Sequence, residues 1–324
     1  MMHRRQILRA AVATPLVLAA PAVWAQAFTQ PLRLVVPFPP GGTSDILARL
    51  IAPALAARVG QNVIVENRAG AGGNVGSDIV AKSRPDGHTM LLLDVSALAT
   101  NPFLMPNMPF DAVRDLAPVQ MVIYAPYILA VNNTLPVQDA AGLVAYARAN
   151  PGRLNAANSG TGTLSQIVAL SLAASWGTEM VSVPYRGGAP ALLSLVSNEA
   201  NLTIVGATQS MSFVTNGQMR GIAVTGQNRL PTLPNLPTFR ELGWPEPDSG
   251  TWQGLLVQGQ TPPGMITRLE TEIAAILNEP AIKARITELG GEVRAEGASA
   301  FRTRLAQQTE SYGRIIRANN LRVE

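Results

Sequence analysis

At three places along the sequence a short apolar run stops at a glycine-rich turn and gives way at once to a helical stripe. The turns are Pro39-Pro40-Gly41-Gly42-Thr43-Ser44-Asp45, Asn158-Ser159-Gly160-Thr161-Gly162-Thr163 and Pro184-Tyr185-Arg186-Gly187-Gly188-Ala189-Pro190. A strand that passes into a helix so abruptly belongs to a βα unit, and a series of such units builds a mainly parallel sheet flanked by helices. The fold class is α/β.

The intervening pattern fits that class. Leu32–Val36 reads as a strand, and Ile46, Leu47, Leu50, Ile51, Ala54 and Leu55 mark one face of a helix that stops at Gly60. Val63–Val65 and Met90–Leu93 are further strands, with a helix expected over 74–83. The rhythm restarts with a strand at Ile128–Val131, a helix over 138–149 and a strand at Leu154–Ala157. A stripe of Leu164, Ile167, Val168 and Leu172, strands at 181–184, 202–205 and 222–224, and a helix from Pro190 continue it. Residues 230–250 are rich in Pro and Gly and read as a long loop. A strand at Trp252–Val257 and helices near 264–278, 280–289 and 299–318 close the chain. One strand leaving near 127 and another returning near 253 imply two lobes joined by crossing strands. The first lobe is then 28–126 with 253–324, and the second is 127–252.

Residues 1–27 read as an export signal, with Arg4, Arg5 and Arg9 ahead of the apolar stretch Ala10–Ala25. Pro15 and Pro21 break that stretch, which falls short of the ~20 residues a membrane span needs. Cleavage is expected after Ala25 or Ala27, and the expected location is the periplasm. Arg4-Arg5 leaves both the general and the twin-arginine export routes open. Losing those arginines brings the formal +4 of the full chain close to neutral, and the remaining basic residues are scattered. With 5% aromatic residues and no basic block, the chain carries no nucleic-acid footprint. An apolar content of 47% against 14% charged residues rules out extended disorder.

Several chemistries are excluded by composition. There is no cysteine, hence no disulfide, thiolate metal site or cysteine nucleophile. His3 and His88 are the two histidines, and no G-x-S-x-G, H-E-x-x-H or carboxylate-rich calcium loop occurs. Gly70-Ala71-Gly72-Gly73-Asn74-Val75-Gly76 fails the dinucleotide fingerprint because Val75 stands where glycine is needed. No cofactor and no metal are expected.

The first two turns are candidate binding loops. Glycines let the backbone approach a ligand, and the first N–H groups of the following helix point outward toward a carboxylate or phosphate. The competing reading is a tight turn with Thr43 or Ser44, and in the second case a hydroxyl, as a helix cap. Asp45 lies in the same first turn, where it caps the helix or accepts from a ligand amine or hydroxyl. Arg186 in the third turn is either a bidentate carboxylate clamp or a solvated side chain.

Taken in order, the motifs resemble a known family. They are Val36-Pro37-Phe38-Pro39-Pro40-Gly41-Gly42-Thr43-Ser44-Asp45 with Ala48-Arg49, Val65-Glu66-Asn67-Arg68-Ala69-Gly70-Ala71-Gly72-Gly73, and Pro85-Asp86-Gly87. Val183-Pro184-Tyr185-Arg186-Gly187-Gly188-Ala189-Pro190-Ala191 and Leu236-Pro237-Thr238 with Glu241-Leu242-Gly243 complete the set. The chain resembles the Bug-type extracytoplasmic solute receptors of tripartite tricarboxylate transporters over nearly its whole length after the leader. The resemblance implies a two-lobed, type II periplasmic-binding-protein fold that closes on a small organic acid: a di- or tricarboxylate, an acidic amino acid or an aromatic carboxylate. It implies that Pro40, Gly41, Gly42, Thr43, Ser44 and Asp45, with Asn158, Ser159, Gly160, Thr161, Gly162 and Thr163, hold one ligand carboxylate. Gln166, Ser96, Arg186 and Thr208 are expected to sort the rest of the ligand. The implied partner is a two-subunit, ion-driven membrane permease, and the receptor is expected to be a monomer. Three positions depart from the family pattern: Gln166 where histidine is common, His88 where tyrosine is usual, and Asn201 where an acid is frequent. The alternatives are an exported, hydrolase-like enzyme and a ligand sensor using the same cleft.

Overall fold

The computed structural model describes residues 28–105, 107–245 and 250–318. The expected leader and its cleavage points fall on 1–27 and lie outside the described residues.

The first half opens with β1 (Leu32–Val36), α1 (Thr43–Val59), β2 (Val63–Asn67), α2 (Asn74–Ala81) and β3 (Thr89–Asp94). β1 lies between β2 and β3, parallel to both. α1 ends where the sequence says it should, with Gly60 left-handed at φ 69° and its N–H closing on the Ala56 carbonyl. α3 (Val95–Leu104) follows β3 with no intervening loop, because Asp94 ends the strand and caps the helix, accepting from the Ser96 N–H at 3.0 Å.

β4 (Leu116–Val131) then runs through both halves of the molecule. The second half adds α4 (Ala140–Ala149), β5 (Asn155–Asn158), α5 (Leu164–Trp176) and β6 (Val181–Pro184). It continues with α6 (Gly188–Val196), β7 (Leu202–Gly206), α7 (Ala207–Thr215) and β8 (Arg220–Val224). β5 is parallel to β6 and β7, the arrangement of β1 with its two neighbours repeated. The chain returns through β9 (Gly250–Gln258), α8 (Pro263–Asn278), α9 (Pro280–Glu288), β10 (Glu292–Gly297) and α10 (Ala298–Ala318).

The strand order is β2-β1-β3-β9-β4-β7-β5-β6, with β8 and β10 both on β4. β4 joins the halves by exchanging partners: β9 up to Pro126, β7 from Tyr127 onward. β9 takes up pairing at Gly250, ahead of the crossing expected near 253. The sheet is therefore mixed, with parallel outer strands and antiparallel strands at the centre. Its C-terminal strand ends carry the glycine-rich turns, the edge where open α/β sheets bind ligands.

Packing on the first half has two sides. Leu47, Ile51 and Leu55 of α1 and Leu269, Ile273 and Ile276 of α8 are buried with Leu92, Val122 and Leu255. Phe301, Leu305 and Tyr312 of α10 are buried against Leu93, Met121 and Trp252 on the other side. In the second half, Ala191, Leu192 and Leu195 of α6 join Val205, Met211 and Val224.

Candidate functional site

The β1–α1 loop is built by its own first helical turn. Gly41 sits at φ +83°, a conformation that favours glycine. Its N–H donates to Asp45 Oδ2 at 2.9 Å, while Asp45 Oδ1 accepts from Asn67 Nδ2 at 2.9 Å. Arg49 Nε donates to both Asp45 oxygens at 3.1 Å, and Asn67 also donates to the Phe38 carbonyl at 3.1 Å. Burial pushes the Asp45 carboxyl up, but the bonds from Arg49, Gly41 and Asn67 prevail and hold it below the ordinary aspartate range. Asp45 thus has no acceptor to spare for a ligand amine or hydroxyl: it staples the loop. The glycine-rich segment after β2 backs the same loop, since a methyl added at Gly73 would lie 3.3 Å from the Phe38 ring and one at Gly76 2.7 Å from Pro37.

Neither Thr43 nor Ser44 caps α1. The cap residue is Gly42, extended and without a side-chain bond, so the helix start is open toward the second half. α6 and α7 begin the same way, on Gly187 and Gly206, neither with a side-chain cap. These helix starts meet. A methyl at Gly206 would stand 2.9 Å from Thr43 Oγ1, one at Gly187 3.0 Å from Pro39, and one at Gly42 3.6 Å from Gln209 Oε1. The cleft is closed: a side chain has no room at Gly206 and is tight at Gly187, while one at Gly42 would make ordinary contact. Inside it, Thr43 Oγ1, Thr208 Oγ1 and Gln209 Oε1 are buried with no hydrogen-bond partner among the described residues.

A polar chain runs from this point beneath the first half. Ser44 Oγ donates to Gln253 Oε1 at 2.7 Å, Gln253 Nε2 donates to Thr251 Oγ1, and Thr251 bonds to the Asp94 carboxylate. Asp94 in turn holds the N–H of Ser96, which places Ser96 at the end of the chain. Burial raises the Asp94 carboxyl above its ordinary range against the lowering effect of those bonds. Gln209, Thr251, Gln253 and Asp94 were not among the residues expected from sequence. Alternation of polar Thr251 and Gln253 about Trp252 in an otherwise apolar strand was the available signal.

The β5–α5 loop is tied by neutral groups. The Gly160 N–H donates to Asn158 Oδ1 at 3.1 Å, and the Gly162 N–H donates to Gln166 Oε1 at 2.7 Å. Asn158 Nδ2 and Gln166 Nε2 both donate to Ser182 Oγ at 2.9 Å. Thr163 is the cap residue of α5, but its hydroxyl donates to the Gly160 carbonyl and leaves the helix start uncapped. Ser159 and Thr161 are half-buried on the loop. The turn at 185–189 bridges the two loops: the Tyr185 N–H donates to the Asn158 carbonyl at 3.0 Å, and Ala189 approaches Gly41. Arg186, between them, is exposed and has no ion pair among the described residues. Pro40 and Gly41 are exposed at the cleft mouth, whereas Gly42 to Asp45 are buried.

The other departures lie away from this site. Asn201 Oδ1 accepts the Asn155 N–H at 2.8 Å, a clasp between β7 and β5 that an acid would also make. His88 sits at the N-terminal end of β3, its ring 5.4 Å from Phe28 and its Nδ1 3.3 Å from Asp86, at the opposite end of the strand from the cleft. It is no candidate general base there. Among the described residues no group of histidines and acids is placed to hold a metal ion, and no helix is long and apolar enough to cross a membrane.

Two lobes sharing crossing strands and closing strand-to-helix loops on each other define the class of two-lobed solute-binding proteins. Residues 47–321 match the model of the tripartite tricarboxylate transporter family receptor, and the chain belongs to that family. Periplasmic binding protein BugD superposes with a TM-score of 0.86 at 30% identity, covering 91% of this chain and 100% of that one. An R. palustris protein solved with adipate gives 0.87 at 32% identity over 91% of this chain and 99% of its own. MatC from Rhodopseudomonas palustris, solved with bound malate, gives 0.83 at 26% identity over 89% and 99%. The chain is a Bug-type solute-binding receptor.

Proposed function

We propose that this receptor captures one small organic carboxylate between its lobes in the periplasm and presents the closed, loaded form to a two-subunit membrane permease. The observation that carries the reading is the meeting of α1, α6 and α7 at three glycine-capped helix starts, with Thr43 and Thr208 hydroxyls buried there and unpartnered among the described residues. Such helix starts carry partial positive charge and free N–H groups, which a carboxylate satisfies. Buried hydroxyls without partners are costly unless a ligand completes them.

On this reading, residues 40–45 and 158–163 are the two jaws, with Ser96, Gln166 and Thr208 supporting and Arg186 at the rim. The lobes divide as 28–126 with 253–324 against 127–252. Closure is a hinge motion about β4 and the returning strand, and it desolvates the bound acid without chemistry. The relatives solved with adipate and malate make dicarboxylates the first class to try. On this reading the receptor acts as a monomer, and the hydroxyls, amides and helix N–H groups of the cleft hold the acid without transforming it.

The test is a thermal-shift screen of refolded protein against mono-, di- and tricarboxylates. A ligand at about 100 times its Kd adds about 2.7 kcal/mol, a rise of several degrees for a domain of this size. One acid that raises the melting temperature and is recovered unchanged supports the reading. No rise with any acid overturns it, and consumption of the acid replaces it with an enzyme.

A further inference from the structure

A second cavity lies at the lobe seam, apart from the cleft. One edge of β4 is bonded to β10 as far as the Tyr124–Glu292 pair and to β8 from the Ile128–Val224 pair. Between those pairs Tyr127 exchanges hydrogen bonds with Thr225 just past β8, and beside this stretch lies a notch with a cavity of about 890 Å³. Its walls come from both sides of the hinge: the segment 225–231 after β8 on one side, and Trp252, Lys283, Arg294 and Arg304 on the other. Neither jaw of the cleft lines it. Side chains alternate along β9, so Thr251 and Gln253 face the chain that leads to Ser44 while Trp252 faces the other way.

The chemistry of the notch is lopsided toward donors. The Arg304 guanidinium carbon lies 3.9 Å from the centre of the Trp252 ring, and that of Arg294 lies 5.4 Å from it and 5.7 Å from Tyr124. Glu292 accepts from Arg294 Nη2 at 3.0 Å and Glu296 from Arg304 Nη2 at 3.2 Å, which commits one end of each guanidinium group to a carboxylate. Two buried donors remain. Trp252, 6% exposed, keeps its Nε1–H buried without a partner among the described residues, and so does Arg294 at Nε. Lys283 stands exposed at the rim with no ion pair among the described residues.

We propose that this notch is a second anion site, taking a small oxyanion through a carboxylate or phosphoryl group. Buried N–H donors seek acceptors, and an oxyanion supplies several at once beside an ammonium and two guanidinium groups. The bound anion is held by donors from β9, α9, β10 and α10 and faces the segment 225–231 across the notch in the arrangement that has the cleft closed. It therefore favours the closed state, and by linkage the notch anion and the cleft ligand raise each other's affinity by the same factor. That coupling rests on the cleft reading above; the site itself does not.

Inorganic phosphate is the probe, titrated calorimetrically into purified wild type, Lys283→Ala, Trp252→Phe and, as a cleft control, Thr208→Val. Lys283 is exposed on α9, so its replacement leaves the fold intact. The expected result is phosphate binding that falls about tenfold in each notch variant and is unchanged in Thr208→Val. No phosphate binding to wild type overturns the proposal. So does binding that ignores Lys283 and Trp252 but is lost in Thr208→Val, which puts the anion in the cleft. Adipate titrated with and without saturating phosphate then reads the coupling: tighter binding with phosphate is expected. Unchanged adipate affinity beside intact phosphate binding removes the coupling and keeps the site.

Discussion

In both cleft loops a glycine N–H donates to the side chain four residues further on, Gly41 to Asp45 at 2.9 Å and Gly162 to Gln166 at 2.7 Å. The backbone device is the same and the chemistry differs. On the proposed function Asp45 is an anion in a site that is to receive an anion, and it is tolerated because Arg49 and Asn67 consume its charge and its lone pairs on the side of the loop. Gln166 does the same work with no charge, and its amide end reaches Ser182. The first jaw is thus stiffened by an ion pair and the second by neutral bonds. A histidine at 166, as the resemblance leads one to expect, would have titrated near neutral pH; glutamine does not.

Four substitutions sharpen that contrast. Asp45→Ala has the largest expected effect, because it releases Gly41, Asn67 and Arg49 together. Carboxylate affinity measured by calorimetry falls by about one to two orders of magnitude. Gln166→Ala releases one glycine N–H and one hydroxyl, and the same measurement shows a loss of about tenfold or less. Equal losses would mean that the charge on Asp45 adds nothing.

A pH series separates the jaws more finely. The Asp45 carboxyl is held below its ordinary range, so its contribution to stability is present above the ordinary carboxylate pKa and is lost as pH falls through the lowered folded value. Melting temperature therefore drops on acidification below about pH 4. Asp45→Asn flattens part of that drop, and Gln166→Ala leaves its shape alone. Glu66, held at about 2 chiefly by its bond from Arg33, supplies a similar acid-sensitive contribution that both variants retain, so the difference between curves isolates Asp45. Arg186→Ala stands at the small end: the side chain is exposed and unpaired among the described residues, and affinity changes by no more than about twofold. A larger loss would make Arg186 a clamp.

The βα units were legible wherever a strand ended in a marked turn, as at Gly41-Gly42, Gly60 and Asn150-Pro151-Gly152. Four elements were not, α7 among them, because β7 passes into that helix at Gly206 with no marked turn between them. α3 was hidden because Asp94 serves as strand end and helix cap at once, leaving no turn to read, and because Pro102 interrupts the helical stripe. The first part of β4 carries Pro118 and Pro126, and its register shifts between Pro118 and Gln120, which erases the period of two. β10, Glu292–Gly297, is a charged strand on the edge of the pairing and lacks an apolar face. The jaws themselves were read from their glycines and hydroxyls, but the partners of Asp45 and Gln166 were not. Asn67 and Ser182 come from other strands, and only tertiary pairing brings them near.

The central claim is that buried hydroxyls at the uncapped helix starts hold the ligand carboxylate. Its most direct test is calorimetry of the best-binding acid against wild type and the double variant Thr43→Val, Thr208→Val, which keeps side-chain volume and removes both hydroxyls. The account predicts a melting temperature for the unliganded variant no lower than wild type, since neither hydroxyl has a partner to lose among the described residues, and an affinity reduced by about tenfold or more. Wild-type affinity in the double variant would contradict it and move the carboxylate elsewhere.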